Sequence, residues 1–179
     1  MRTIAVALAL VAAVAFAADT ARKEDAHLRY EVPTTWVRVP APSDMRAAQY
    51  KVPKVGSDTE DAELVMFFFG PGQGGTPEAN LERWYGQFSR TDGKPVKDAA
   101  VVTIRTINGL KVTSVDLGGT YKPAPMGGGA GAPKEKWRML AAVIEGQGGP
   151  WFFRLTGPEA TVADAKPEFD AMLASVAPH

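Results

Sequence analysis

The chain contains no cysteine. That excludes a disulfide framework, thiolate chemistry, cysteine-based zinc sites and lipid attachment through a cysteine behind a leader. Histidine is nearly as scarce, with two, His27 and His179, the second at the terminus. Ser43, Ser57, Ser89, Ser114 and Ser175 therefore have no evident imidazole base, and no G-x-S-x-G elbow occurs. Two separated histidines make no zinc site without carboxylates brought from afar. An excess of charge is also missing, since 20 Lys and Arg face 20 Asp and Glu. A balance this close to zero argues against nucleic acid or an anionic membrane surface as a partner.

Long hydrophobic runs are absent beyond the N-terminus, so the mature chain is expected to have no membrane span. The first residues have the pattern of a secretory leader. Arg2 supplies the positive start, residues 4–14 the apolar stretch, and Ala15-Phe16-Ala17 a small-residue cleavage site. Removing 17 of the 179 residues leaves 162, enough for one domain with a sizeable core. The expected organisation is a signal peptide over 1–17, a mobile lead-in over 18–27 and a single α+β domain over 28–179. The expected location is secreted or periplasmic after cleavage near Ala17.

The chain is organised around residues 63–88. Residues 64–69 are six apolar side chains in succession, a strand that must be covered on both faces. Residues 70–75, Gly-Pro-Gly-Gln-Gly-Gly, continue neither regular structure and connect the strand to a helix. Thr76 suits the N-cap, Pro77 the first helical position and Glu78 the positive helix end. Leu81, Trp84, Tyr85 and Phe88 recur at helical spacing, which predicts a helix over 77–89. Further along, 101–107 and 110–117 flank Asn108-Gly109, a two-residue hairpin turn. The strand over 137–145 places Trp137, Met139, Ala141 and Val143 on one face and Leu140, Ala142 and Ile144 on the other. Another strand follows over 151–155, and a closing helix runs over about 159–176, with Pro167 implying a kink or fresh start. Short connections favour antiparallel neighbours. The expected architecture is an α/β/α sandwich around a mainly antiparallel sheet, one helix on each face. The alternative sets both helices on one face and leaves the other for a partner chain.

Tyr30, Pro33 and Trp36 form a Tyr-x-x-Pro-x-x-Trp pattern in the first strand region. With the hairpins and the closing helix, this resembles the Mog1/PsbP-like fold. The series Gly74, Gly75, Asn80, Leu81, Arg83, Trp84, Gln87 and Phe88 also resembles small secreted bacterial proteins of unknown function. That fold hosts photosystem assembly factors, a regulator of a small GTPase and bacterial envelope proteins. The resemblance thus implies an accessory or binding role by analogy and brings no catalytic residues.

Candidate chemistry is sparse. The 70–75 loop before a helix invites comparison with phosphate-binding turns. It has neither Gly-Lys-Ser/Thr nor the dinucleotide spacing, and Glu78 would repel a phosphate, so a plain connector is favoured. Asn80, Arg83 and Gln87 share a predicted polar helix stripe that, with Gln73, forms the candidate ligand-binding edge. The plainer reading is that they fasten neighbouring loop backbone. Asp58, Glu60, Asp61 and Glu63 lack calcium-loop spacing and read as a solvated turn. Asp164, Glu168 and Asp170 read as helix-rim charge. No cofactor and no metal site is expected. Residues 122–136 form an unusually long Gly/Pro/Ala-rich loop, with Lys122, Met126, Lys134 and Lys136 as candidate partner contacts. The leading functional reading is a non-enzymatic module binding a protein or small ligand. A carboxylate- or metal-dependent enzyme on the same surface and a structural subunit of a homo-oligomer stand as alternatives.

Overall fold

The computed structural model describes residues 20–25, 27–43, 45–123 and 131–179. The expected leader over 1–17 and Met126 lie outside the described residues. In chain order the strands are β1 (Thr20–Asp25), β2 (Leu28–Pro33), β3 (Val37–Arg38), β4 (Arg46–Val52) and β5 (Ala62–Phe68). Helix α1 (Pro77–Tyr85) follows, then β6 (Phe88–Ser89), a 3-10 turn at Val96–Asp98, β7 (Val101–Ile107), β8 (Leu110–Tyr121), β9 (Lys134–Gly146) and β10 (Gly149–Pro158). The chain closes with α2 (Glu159–Ala174) and β11 (Ala177–Pro178).

Eight strands form the main sheet in the order β3-β4-β5-β10-β9-β8-β6, with β7 also paired to β8. Every described ladder is antiparallel. The two-residue periodicity of β9 separates the core into two layers. Leu140, Ala142 and Ile144 join Leu64, Met66, Phe153 and Leu155 beneath Val162, Phe169, Met172 and Leu173 of α2. Met139, Ala141 and Val143 join Val115, Leu117 and Phe152 beneath Trp84 of α1. The helices therefore lie on opposite faces, because the central strands are apolar on both sides and each face needs a cover.

A second, three-stranded sheet of β1, β2 and β11 stands beside the main one. Its β1 lies within the segment expected as a lead-in, and pairs with β2 from Thr20 opposite Pro33 to Asp25 opposite Leu28. Trp36, buried just beyond β2, donates its indole N–H to Glu168 Oε2 at 2.7 Å, tying this end of the chain to α2. Helix α2 runs through Pro167 as one element. It starts at Pro158, which has no capping side chain. Asp58 from a distant turn takes that role, its Oδ2 accepting from Thr161 N–H at 2.9 Å and Thr161 Oγ1 at 2.6 Å.

Helix α1 begins as its sequence predicts. Thr76 Oγ1 accepts from the Ala79 N–H at 3.2 Å, and Pro77 opens the first turn. It ends at Tyr85, four residues short of the expected 89, with Gly86 at its C-cap. Phe88 and Ser89 instead pair with Tyr121 and Thr120 of β8, which requires extended backbone directly after the helix. Nine helical residues span only about 13–14 Å, so α1 leaves part of its sheet face bare.

Candidate functional site

The bare part is the floor of a cleft of about 610 Å³. Strand alternation decides which side chains reach it. On β10, Trp151, Phe153 and Leu155 face α2, so Arg154 and Thr156 face the other way, onto the side of α1. Arg154 lies opposite Val65 of β5 and Ala141 of β9, while Thr156 lies opposite Glu63 and Met139. Val65, Arg154 and Thr156 thus form the floor, with Glu63 beside them. Lys51, Lys54, Glu60 and Asp61 line one side, and Tyr121, Lys134 and Trp137 the other.

The second side depends on a β-bulge. Gly119 pairs with Trp137 and Tyr121 with Lys134, so three steps along β9 match two along β8. The extra residue sits where Lys136 takes a positive φ of 54°, and Gly119 opposite has φ 147°. A Cβ on Gly119 would lie 2.5 Å from the Ser89 carbonyl oxygen, so only glycine fits against β6 there. An unbulged strand would put Lys134 and Trp137 on opposite faces. The bulge brings them to the same one, with Lys134 Nζ 4.4 Å from the Trp137 ring centroid. Tyr121 stacks on Trp137, centroids 5.3 Å apart and planes within 4°. Lys134 also pairs with Glu60. Since Glu60 precedes β5 and Lys134 opens β9, this ion pair joins the two sides of the cleft across the end of β10.

The carboxylates of the cleft have partners. Glu60 holds Lys134, Asp61 accepts the Lys54 backbone N–H at 3.1 Å, and Glu63 takes Gln49 together with Arg46 at 3.6 Å. The four acidic residues of the 58–63 stretch therefore point to four different places. Among the described residues no group of three metal-ligating side chains comes together.

Arg154 is the exception. Its Nε is buried and, among the described residues, has neither a hydrogen-bond acceptor nor a carboxylate within ion-pair distance. The Phe67 ring, 5.8 Å from the guanidinium carbon, offers a cation–π contact. Desolvation pulls the guanidinium pKa below its ordinary value, opposed by Tyr121 and Glu63 and assisted by Arg46. Thr156 Oγ1, on the same strand and face, is likewise buried without a partner. Two unsatisfied polar groups at the floor of one cleft mark the place where the fold has left binding capacity unused.

The residues singled out from the sequence are distributed differently. Asn80 is buried, donates to the carbonyls of Gly74 and Thr76 at 2.9 Å each, and accepts from Arg83 Nη1 at 3.0 Å. Gln73 and Arg83 are exposed. Gln87 lies beyond the end of α1, so the three-residue helix stripe does not form; its Oε1 is buried without a partner and its carbonyl accepts the Lys122 N–H at 2.7 Å. None of these four lines the cleft. Of the loop lysines, Lys134 does, while Lys136 faces a smaller cavity of about 340 Å³ with Arg90, Asp92 and Glu159. The glycine turn at 70–75 packs against the turn that joins β9 to β10. A Cβ on Gly149 would lie 2.4 Å from the Gly70 carbonyl oxygen, and one on Gly74 2.4 Å from the Phe152 ring. Both closures explain the glycines without a ligand.

No protein-family model matches the chain. No curated protein matches it either. Among solved structures, the chain is similar to cyanobacterial PsbP (CyanoP) from Synechocystis sp. PCC 6803, with TM-score 0.54 and 17% identity, covering 96% of this chain and 99% of that one. It is also similar to a protein of unknown function, PA94, from Pseudomonas aeruginosa, with TM-score 0.48 and 16% identity, covering 87% and 94%. The fold is PsbP-like, as the Tyr30, Pro33 and Trp36 pattern leads one to expect.

Proposed function

We propose that the chain is an exported, non-enzymatic accessory domain that holds a small ligand or a projecting group of a partner in the Arg154 cleft. The observation that carries this reading is the cleft of about 610 Å³ with buried, unpartnered Arg154 Nε and Thr156 Oγ1 at its floor. That volume falls within the range of small-ligand sites. Its lining includes neither histidine nor serine, and its carboxylates are tied to cations or backbone N–H groups, which suits holding a group better than moving protons. The PsbP-like fold supports an accessory role by analogy. Export rests on the leader pattern at 1–17 and predicts a mature protein beginning at Ala18. Finding Met1 on the purified protein would refute it.

The cleft is tested by native mass spectrometry and affinity capture of the protein produced with its own leader, comparing wild type with Lys54→Trp and Arg83→Ala. Lys54 is an exposed rim residue, so a tryptophan there obstructs the mouth without entering the core. A co-purifying molecule lost in Lys54→Trp and kept in Arg83→Ala supports the cleft. The reverse moves the site to the Gln73, Asn80, Arg83 and Gln87 edge of α1.

A second reading, a subunit of a homo-oligomer, is favoured by β7. Among the described residues this strand pairs only with β8, and Val101 and Ile104 are each 63% exposed. Antiparallel self-pairing centred on Thr103 would set Val102 against Ile104 and Arg105 against Val101, with no like charges opposed. Ultracentrifugation separates the readings, since a concentration-dependent dimer abolished by Ile104→Lys supports self-pairing through β7.

A further inference from the structure

We infer that the Arg154 cleft recognises an oxyanion with two coplanar acceptor oxygens, a carboxylate or a phosphate group, gripped by the side of the Arg154 guanidinium with Thr156 Oγ1 as a third donor. This rests on the cleft reading above and names the chemistry of its occupant. Arg154 Nε is the donor left unsatisfied, and Nε with its neighbouring Nη forms the fork that matches two oxygens of one anion. Thr156 stands two residues further along the same strand, so its hydroxyl projects from the same face. The other cations support an anion rather than compete for one internal carboxylate. Lys51 and Lys54 stand on one side, Lys134 on the other, and Glu60, Asp61 and Glu63 already have partners. The lining therefore carries four cationic side chains against three carboxylates, one positive charge in excess. A guanidinium withdrawn from water with no carboxylate in contact destabilises its surroundings, and an entering anion removes that penalty. On the Tyr121 and Trp137 side the Trp137 ring is already engaged, stacked with Tyr121 and in contact with the Lys134 ammonium. The occupant is accordingly a compact anion or the anionic end of a longer molecule, and not a planar aromatic compound seated on tryptophan.

The test is calorimetric titration and thermal melting of the mature full-length chain at constant ionic strength. Inorganic phosphate and succinate are the two probes, with chloride as the control. The wild type is expected to bind one of the two oxyanions saturably, with a melting temperature that rises with its concentration. The probe that binds tells phosphate from carboxylate. Arg154→Met should weaken binding about 10–100-fold, the loss expected for charge-assisted hydrogen bonds. Thr156→Val removes one donor and should weaken it by a smaller factor. Arg154→Lys keeps the charge without the fork, and affinity equal to wild type in that variant would overturn the fork. Saturable binding of neither probe, or equal binding in Arg154→Met, would overturn the oxyanion altogether. Failure here is distinguishable from failure of the cleft reading. A molecule lost in Lys54→Trp but retained by Arg154→Met refutes the oxyanion and leaves the cleft, whereas one retained by both refutes the two together.

Discussion

Replacing Arg154 by methionine should make the protein more stable. Methionine keeps an unbranched stem of similar reach and can stay packed beside Phe67, while the unpartnered guanidinium disappears. Two contributions oppose each other. The charge is held away from water with no acceptor on Nε, and exchanging buried ionic groups for apolar ones of similar volume typically gains about 1–4 kcal/mol. The lower part of that range applies, because Arg154 borders an open cleft and is only partly withdrawn from water. Against this, the cation–π contact with Phe67 is lost, worth about 0.5–1 kcal/mol. The expected net gain is about 1 kcal/mol, or about 2–4 °C in Tm for a chain of this size. Desolvation lowers the folded pKa of this group below its unfolded value, so the penalty is complete wherever the guanidinium is protonated in both states. It is relieved only as pH rises through the lowered folded pKa. The gain should therefore be the same throughout the acidic and neutral range. Urea unfolding measures it as a higher midpoint at unchanged slope. Arg154→Ala should fall below Arg154→Met by about 1–2 kcal/mol, because the stem is lost as well. A midpoint for Arg154→Met below wild type would refute the reasoning, since it would mean that the guanidinium has stabilising partners.

Other expectations concern the frame of the cleft and its surroundings. Asp58→Ala removes the only side-chain cap that α2 receives among the described residues and should lower stability by about 1–2 kcal/mol, with Asp58→Asn recovering part of it; equal urea midpoints for wild type and Asp58→Ala would contradict this. Gly157→Ala places a Cβ 2.4 Å from Ala62 Cβ and 2.7 Å from Ala62 Cα, which forces β10 off β5. Its expected cost is about 1–3 kcal/mol, read by thermal melting, and an unchanged Tm would show that the strands give way easily. The Arg90 hydrogen bond, reinforced by the Lys94 backbone N–H, holds exposed Asp92 below its ordinary carboxylate pKa. The stability it contributes is present above the ordinary value and lost as pH falls through the folded one. Asp92→Asn should thus be less stable than wild type at neutral pH, with the gap closing in acid; a gap that stays open in urea titrations at low pH would rule this out.

Where a segment's covering is dictated by its own side chains, the fold was legible in the sequence. The uninterrupted apolar run before Gly70, and the division of β9 into two apolar faces, forced a cover on each side of the sheet, and α1 and α2 supply it. Asn108 and Gly109 take φ of 48° and 84°, the two positive values that their hairpin turn requires. Structure that depends on distant partners was not legible. Ala177–Pro178 is too short to show periodicity, yet it completes a second sheet with β2. Gly86 has no explanation inside a helix running to 89. Pairing of Phe88 with Tyr121, across 33 residues of sequence, ends the helix at Tyr85 and leaves Gly86 exposed at its C-cap, with an ordinary φ of −64° that does not itself require glycine.

The same contrast holds at the site. Helical spacing drew attention to Asn80, Arg83 and Gln87, but a polar stripe beside an apolar one says nothing about whether its amides are already engaged, and Asn80 binds the loop that precedes it. The cleft needed two long-range facts, namely the early end of α1 and the bulge that turns Lys134 toward Trp137. One local signal did exist. In Trp-Phe-Phe-Arg-Leu, a strand apolar on both faces carries a single charged side chain. A central strand cannot turn such a residue to an edge, so the arginine must meet either a buried counter-charge or a gap in the covering layer. Among the described residues no carboxylate comes within ion-pair distance of Arg154, Glu63 acting on it only from farther off, and the layer above it is open. An isolated arginine in an otherwise apolar central strand is therefore a cue to look for missing cover before looking for a motif.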